Sequence, residues 1–188
     1  MSKVSPIVLH PHKVLRAKAK PLDTVTDDVR HTLAAMLAAM QGANGIGLAA
    51  PQIGVLQRLV VFHDTEGERG ARVYKSTPPL MMVNPVFLAK SDEMIDSEEG
   101  CLSIPRLFDT IQRHAWVKVG YVDEHGNPRE IEGDGLLGRC LQHELDHLDG
   151  VLFIDHLSRL KRGLADKKYT KLLADFVEDK PYPFVQER

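Results

Sequence analysis

The sequence predicts an α+β fold: short, mostly antiparallel strands packed around a central helix that carries an H-E-x-x-H motif, with an N-terminal helix before it and a C-terminal helix after it. Three observations predict this. Apolar residues recur at helical spacing near the start of the chain and again from Leu136 to Leu148. Between those stretches, from Gly45 to about Val122, β-branched runs alternate with Gly, Pro and charged turns. Internal repeats and low-complexity tracts are absent, so 188 residues are expected to form one domain, 1–188, of which about 161–188 is a C-terminal helix and tail.

Taken in order, Thr26 followed by Asp27 and Asp28 is a helix start signal, and Val29, Leu33, Met36, Leu37 and Met40 then hold one face until Gly42. Met36 and Met40 read as core filler. Leu59 to Phe62, Leu80 to Val83 and Trp116 to Val122 read as strands, separated in part by a polar loop or hairpin tip, Asp64 to Ser76. Val117, Val119 and Tyr121 alternate with Trp116, Lys118 and Gly120, and His125-Gly126-Asn127 turns the chain into Arg129 to Glu132, which predicts a hairpin. Leu136, Leu137, Cys140, Leu141, Leu145 and Leu148 return to helical spacing until Gly150, so this helix is mostly buried. A strand-like segment, Val151 to Ile154, leads into a helix from Leu157 to Phe176 rich in Lys and Arg.

Composition narrows the function classes. With 24 basic against 26 acidic side chains there is no excess charge to support bulk or sequence-specific nucleic-acid binding. Two cysteines are too few for a disulfide scaffold, which points to a reducing compartment. The longest aliphatic stretch, Leu33 to Met40, falls far short of the ~20 residues that cross a bilayer, so no membrane association is expected. The basic start (Lys3, Lys13, Arg16, Lys18, Lys20) superficially resembles a transit peptide, but Pro6 and Pro11 interrupt any amphipathic helix, and a bacterial cytoplasmic location is the expectation.

The chemistry concentrates in His143-Glu144-Leu145-Asp146-His147. Two imidazoles at i and i+4 lie on one helix face, one turn apart, where both can reach a single ion, with Glu144 beside them. Hydrolytic zinc-like centres use three protein ligands and leave a position open. In the metzincin pattern the third histidine would fall where this chain has Phe153, so that reading fails. Cys140 is seven residues from His147, about 10 Å along the axis at 1.5 Å per residue, and is better read as a small apolar core or pocket residue. His156 and Glu178 are more simply surface residues. Cys101, in Glu99-Gly100-Cys101-Leu102-Ser103-Ile104-Pro105, has a glycine and a proline to fix its backbone and is the favoured third ligand.

Gly45-Ile46-Gly47-Leu48-Ala49-Ala50-Pro51-Gln52 contains a G-x-G-x-x-A pattern, but it follows a helix rather than a strand and has no acidic residue about 20 positions on, which rejects a dinucleotide site. The alternative is a loop whose small residues let main chain run close to a ligand, with the Gln52 amide as a nearby donor in an oxyanion-hole arrangement.

Together GIGLAAPQ (Gly45 to Gln52), EGCLS (Glu99 to Ser103) and QHELDHLDG (Gln142 to Gly150) resemble the three motifs of peptide deformylases of the bacterial, iron-dependent type, in family order and spacing. Val8-Leu9, Pro11 and Leu15-Arg16 near the start and Leu152-Phe153-Ile154-Asp155 after the helix extend the resemblance over most of residues 6 to 160. The resemblance implies metal ligands at Cys101, His143 and His147, the general acid/base at Glu144, and oxyanion donors at Gln52 and the Leu102 backbone N–H. It implies a methionine side-chain pocket around Ile46, Leu136 and Cys140, and a groove for the peptide backbone along Gly45 and Gly47. Glu99 is expected to pair with Arg113 and so steady the Cys101 loop.

The implied activity is removal of the N-formyl group from the N-terminal methionine of nascent polypeptides, with release of formate, by metal-bound hydroxide and Glu144. The implied cofactor is one divalent ion, Fe2+ in the cell, with Zn2+, Ni2+ or Co2+ able to occupy the same ligands. In some bacterial relatives a basic C-terminal helix docks on the ribosome, and Arg159, Lys161, Arg162, Lys167, Lys168 and Lys171 would suit that contact, although a solvated face is the simpler account. Two other readings share parts of the motif: a small H-E-x-x-H metallopeptidase, which would cleave internal peptide bonds, and a structural zinc module, which would be closed by a fourth ligand and have no use for Glu144.

Overall fold

The computed structural model describes residues 6–63, 78–178 and 184–185; the polar stretch Asp64 to Ser76 and parts of the C-terminal tail lie outside the described residues. After β1 (Ile7–Val8), the first long element is α1 (Asp27–Gly42). The Thr26 side chain accepts the Val29 N–H at its start, and Asp27 and Asp28 in the first turn suit the positive end of the helix dipole. Val29, Leu33, Met36, Ala39 and Met40 form its buried face.

The strands follow as β2 (Gly47–Ala49), β3 (Leu59–Phe62), β4 (Leu80–Lys90), β5 (Met94–Cys101), β6 (Ile104–His114), β7 (Trp116–Val122) and β8 (Pro128–Asp134). Five of them make an antiparallel sheet in the order β2-β3-β4-β7-β8, and β5 and β6 form a separate antiparallel hairpin. A short β9 (Phe184–Val185) pairs with β1 in parallel, so antiparallel pairing is dominant rather than universal. The predicted β7–β8 hairpin is present, with Gly126 at φ 87° in the turn and Val122 opposite Pro128.

Two helices complete the chain: α2 (Gly135–Leu148) and α3 (Arg159–Glu178). The five-stranded sheet is covered on both faces at one end. Ala49, Val60, Phe62, Met82, Val117 and Val119 pack on Leu137, Leu141, Leu145 and Leu148 of α2, while Leu48, Leu59, Val61 and Val83 meet α1. Gly138 of α2 lies against Gly133 of β8 so closely that a Cβ there would stand 2.5 Å from the Gly133 carbonyl oxygen; this contact sets how deeply α2 sits on the sheet. The third cluster joins Ile104, Leu107 and Ile111 of β6 to Phe153, Leu157, Ala165 and Tyr169, which fixes the hairpin against α3.

Three sequence expectations are corrected. The segment Val151 to Ile154 is not a strand: Phe153–His156 is a 3-10 turn, closed by the Asp155 carboxylate accepting the Leu152 N–H. β4 does not end at Val83 but runs on to Lys90, because a register shift between Val83 and Val86, with Asn84 at φ 52°, absorbs Pro85 in a bulge. The last helix starts at Arg159 rather than Leu157. No helix among the described residues is long and apolar enough to cross a membrane.

Candidate metal centre and active site

The buried face of α2 presents His143, Glu144 and His147 toward the β5–β6 hairpin, which delivers Cys101 from its tight end, where Cys101 pairs with Ile104. Cys101, His143 and His147 each offer one ligand atom, and these lie within 4.8 Å of one another. The Cys101 sulfur stands 3.2 Å from His147 Nε2, and the two imidazole rings meet edge to face with centroids 5.0 Å apart. His143 Nδ1 is committed to Glu99 at 2.8 Å, which leaves its Nε2 for the cluster.

The donor chemistry fits a divalent transition metal. One thiol and two imidazoles are the soft-to-borderline set such ions prefer. Burial first, and the neighbouring His143 second, push His147 well below its ordinary pKa, so its ring is a neutral ligand. Burial pulls His143 down as well, but the hydrogen bonds to Cys101 and Glu99 outweigh it and raise that ring above its ordinary value when no ion is bound. A fourth protein ligand, as a structural zinc module requires, is not part of the cluster among the described residues. Cys140 is buried beside it, with its sulfur 3.9 Å from Glu144 Oε1, consistent with a pocket wall.

Glu144 is 4% exposed and its Oε2 has no hydrogen-bond partner among the described residues. Burial pushes its carboxyl up to about 7, against the pull of His143, so both protonation states are accessible near neutrality. Its place is kept by Gly47 on the facing strand, where a Cβ would come 2.5 Å from Glu144 Oε1 and 2.4 Å from the Cys140 sulfur. Gly45 abuts the Leu102 side chain, Leu136 lies buried one turn before Cys140, and Ile46 remains 36% exposed beside them.

Gln52 stands in a 3-10 turn (Ala50–Ile53) directly after β2 and is 1% exposed. Its Oε1 accepts the Ala49 N–H at 2.8 Å, and its Nε2 points to the Ser103 hydroxyl at 3.3 Å and the Cys101 sulfur at 3.6 Å. The glycine loop, the EGCLS turn and the H-E-x-x-H helix therefore meet at one point.

Behind the cluster runs a charged network. Arg113 donates from Nε and Nη2 to the two Glu99 oxygens at 2.7 and 3.0 Å, and from Nη1 to Asp146 Oδ2 at 2.6 Å. Burial alone would raise Glu99, but hydrogen bonds from His143 and Arg113 bring it down to about 2. His156, weighed from the sequence as a ligand, instead stands 2.7 Å from Asp146 Oδ2. Sequence reasoning missed three contributors. Phe153 stacks on the His143 ring at 6.3 Å, Asp146 anchors Arg113, and Ser103 faces Gln52. Asp146 sits inside the motif and could have been suspected there; Phe153 and Ser103 carry no signal beyond an apolar or small residue in the right neighbourhood.

Comparison with known proteins agrees with this geometry. A family model for polypeptide deformylases matches residues 4–163. A peptide deformylase of Methylocella silvestris is 48% identical over 166 residues, covering 88% of this chain and 83% of the relative. The crystal structure of a Legionella pneumophila peptide deformylase superposes with a TM-score of 0.84 at 38% identity, covering 95% of this chain and 100% of the other. The Met-Ala-Ser-bound structure of a class I type b peptide deformylase from Acinetobacter baumannii gives a TM-score of 0.75 at 32% identity, covering 84% and 100%.

Proposed function

The chain belongs to the polypeptide deformylase family and removes the N-formyl group from nascent polypeptides, and we propose that it does so at the Cys101, His143 and His147 cluster with Glu144 carrying the proton. The observation that carries this reading is the convergence of three ligand atoms beside a buried carboxylate with one oxygen unpartnered. The family is metal-dependent, and Cys101, His143 and His147 are the residues that would hold one divalent ion, Fe2+ in the cell, with Zn2+, Ni2+ or Co2+ able to take the same donors. When bound, the ion supplies Lewis acidity, which makes water acidic enough to lose a proton near neutral pH.

The remaining tasks fall to the chain. Glu144, poised near neutrality by burial, takes a proton from the attacking water and returns it to the amide nitrogen as the C–N bond breaks, releasing formate and a free methionyl amine. Gln52 Nε2 and the Leu102 backbone N–H donate to the formyl oxygen as negative charge builds there, a kind of donor whose loss costs roughly 10² to 10³ in rate. Glu99 fixes the His143 tautomer through Nδ1, and Arg113 fixes Glu99. Gly45 and Gly47 leave main chain bare for an extended peptide, and Ile46, Leu136 and Cys140 line the space for the methionine side chain. The Met-Ala-Ser-bound relative supports a peptide of this kind as the ligand.

Residues 1–188 act as one catalytic domain in the bacterial cytoplasm on this reading. The basic residues of α3, of which Arg159, Lys161, Lys167, Lys168 and Lys171 are exposed, read first as a solvated helix face, with ribosome contact as the alternative use. The test is anaerobic purification of the wild type and Glu144→Ala, with metal-to-protein ratio and formate release from formyl-Met-Ala-Ser measured on both. The expected result is an unchanged metal content with turnover reduced by about 10² to 10⁴, the range general acid–base groups contribute. Retained turnover in Glu144→Ala would remove the proton-carrying role, and wild-type protein with metal but no formate release would remove the activity.

A further inference from the structure

Orientation of the Gln52 amide decides whether a donor or an acceptor faces the reacting oxygen. A side-chain amide rotated by half a turn would present its carbonyl there, and repulsion would replace stabilisation. The Ala49 N–H settles half of this by holding Gln52 Oε1 at 2.8 Å. Nε2 then carries two hydrogens and has two acceptors in reach, the Ser103 hydroxyl at 3.3 Å and the Cys101 sulfur at 3.6 Å. With one hydrogen on the Ser103 hydroxyl, the other is left for the side of Nε2 that faces the Cys101 sulfur in the metal cluster.

We propose that Ser103 is a positioning residue: its hydroxyl holds one hydrogen of the Gln52 amide so that the second is aimed at the formyl oxygen. The inference rests on the oxyanion-donor role assigned to Gln52 above. Ser103 is suited to the task because it is itself immobile. It is fully buried, and its carbonyl oxygen accepts the His10 N–H at 2.8 Å. It is also bonded directly to Leu102, whose N–H is the other assigned donor, so one clamped residue connects both. Without the hydroxyl, one amide hydrogen loses its acceptor and the group can swing about its last side-chain torsion toward the sulfur.

The experiment is a double-mutant cycle of Ser103→Ala and Gln52→Ala in the metal-loaded enzyme, with metal content measured for every variant, paired with side-chain amide NMR of metal-free protein. Ser103→Ala is expected to lower kcat about fivefold to tenfold, the worth of one hydrogen bond, with KM little changed and the metal ratio intact. In the Gln52→Ala background the same change is expected to have no further effect, since there is no amide left to orient. The Gln52 side-chain NH2 resonances are expected to shift in Ser103→Ala.

An equal loss in both backgrounds, an unchanged kcat, or a loss that follows loss of metal would each overturn the proposal. Gln52→Ala with full kcat would instead strike the donor role itself, and this inference with it, which separates the two failures. Should Ser103→Ala not fold, the wild-type protein still decides: a small temperature coefficient for one of the two Gln52 side-chain protons supports the clamp, and large coefficients for both overturn it.

Discussion

The two walls of the metal centre combine apolar packing and buried charge in different proportions. The wall formed by α2 is held by apolar packing: Leu137, Leu141, Leu145 and Leu148 bury their side chains on the sheet, and the histidines ride on a helix fixed by those contacts. The wall formed by the β5–β6 hairpin adds buried charge to the apolar contacts that Cys101, Ile104, Leu107 and Ile111 make. Along β5 the inward residues are Ser97 and Glu99, and β6 buries Arg113, which stands across from Ile95 and reaches along the hairpin to Glu99 with its side chain. Hydrophobic packing tolerates small adjustments, whereas a buried ion pair demands its partner. The cysteine is therefore expected to be the more fragile side of the centre.

The largest effect that tests this is Arg113→Ala. It leaves Glu99, 4% exposed, without its bidentate partner, and removing one member of a buried pair costs about 3 to 5 kcal/mol. Denaturant unfolding of the metal-free protein measures it. A full cycle with Glu99→Ala is expected to show strong coupling, and additivity would mean that the two side chains stabilise the hairpin independently. On the other wall, Leu141→Ala deletes a side chain that is 1% exposed and is expected to cost about 2 to 5 kcal/mol through its cavity.

Acid separates the walls without mutation. Glu99 is held at about 2 in the folded chain against an ordinary 4.5, so its contribution is fully present above pH 4.5 and is lost as pH falls through about 2. Two and a half units correspond to something on the order of 3 kcal/mol. In metal-free protein, Arg113→Ala is expected to flatten this acid limb and Leu141→Ala to leave its shape unchanged, read from unfolding curves at a series of pH values. An unaltered limb in Arg113→Ala would place the acid sensitivity elsewhere.

The same contrast explains what the sequence reveals. α1 and α2 were legible because burial there follows a helical apolar period, and the β7–β8 hairpin because Val117 and Val119 alternate with exposed or half-buried residues around a Gly turn. The site was legible through its motifs, since H-E-x-x-H spacing and the rigid surroundings of Cys101 state the chemistry directly. β5 was not read as a strand because its inward-facing residues are polar, so alternation is present in the structure but absent in hydropathy. The Phe153–His156 turn was mistaken for a strand because a run of apolar residues gives no periodicity to separate the two, and the Asp155 side chain that closes it acts locally.

The smallest predicted effect locates the outer end of the charged wall. His156 offers one nitrogen, Nε2, to two groups, Asp146 Oδ2 at 2.7 Å and Arg113 Nη1 at 3.2 Å, and it cannot serve as donor to the first and acceptor to the second at once. Its side chain is 34% exposed, so water can replace whichever contact is lost. His156→Ala is therefore expected to cost no more than about 1 kcal/mol, to leave metal content unchanged and to leave formate release within a factor of two, the behaviour of a surface pair rather than a ligand. A loss approaching that of Arg113→Ala would mean that the network needs its surface member to hold Arg113 in place, and the fragile wall would then extend from the protein surface to the metal ligands.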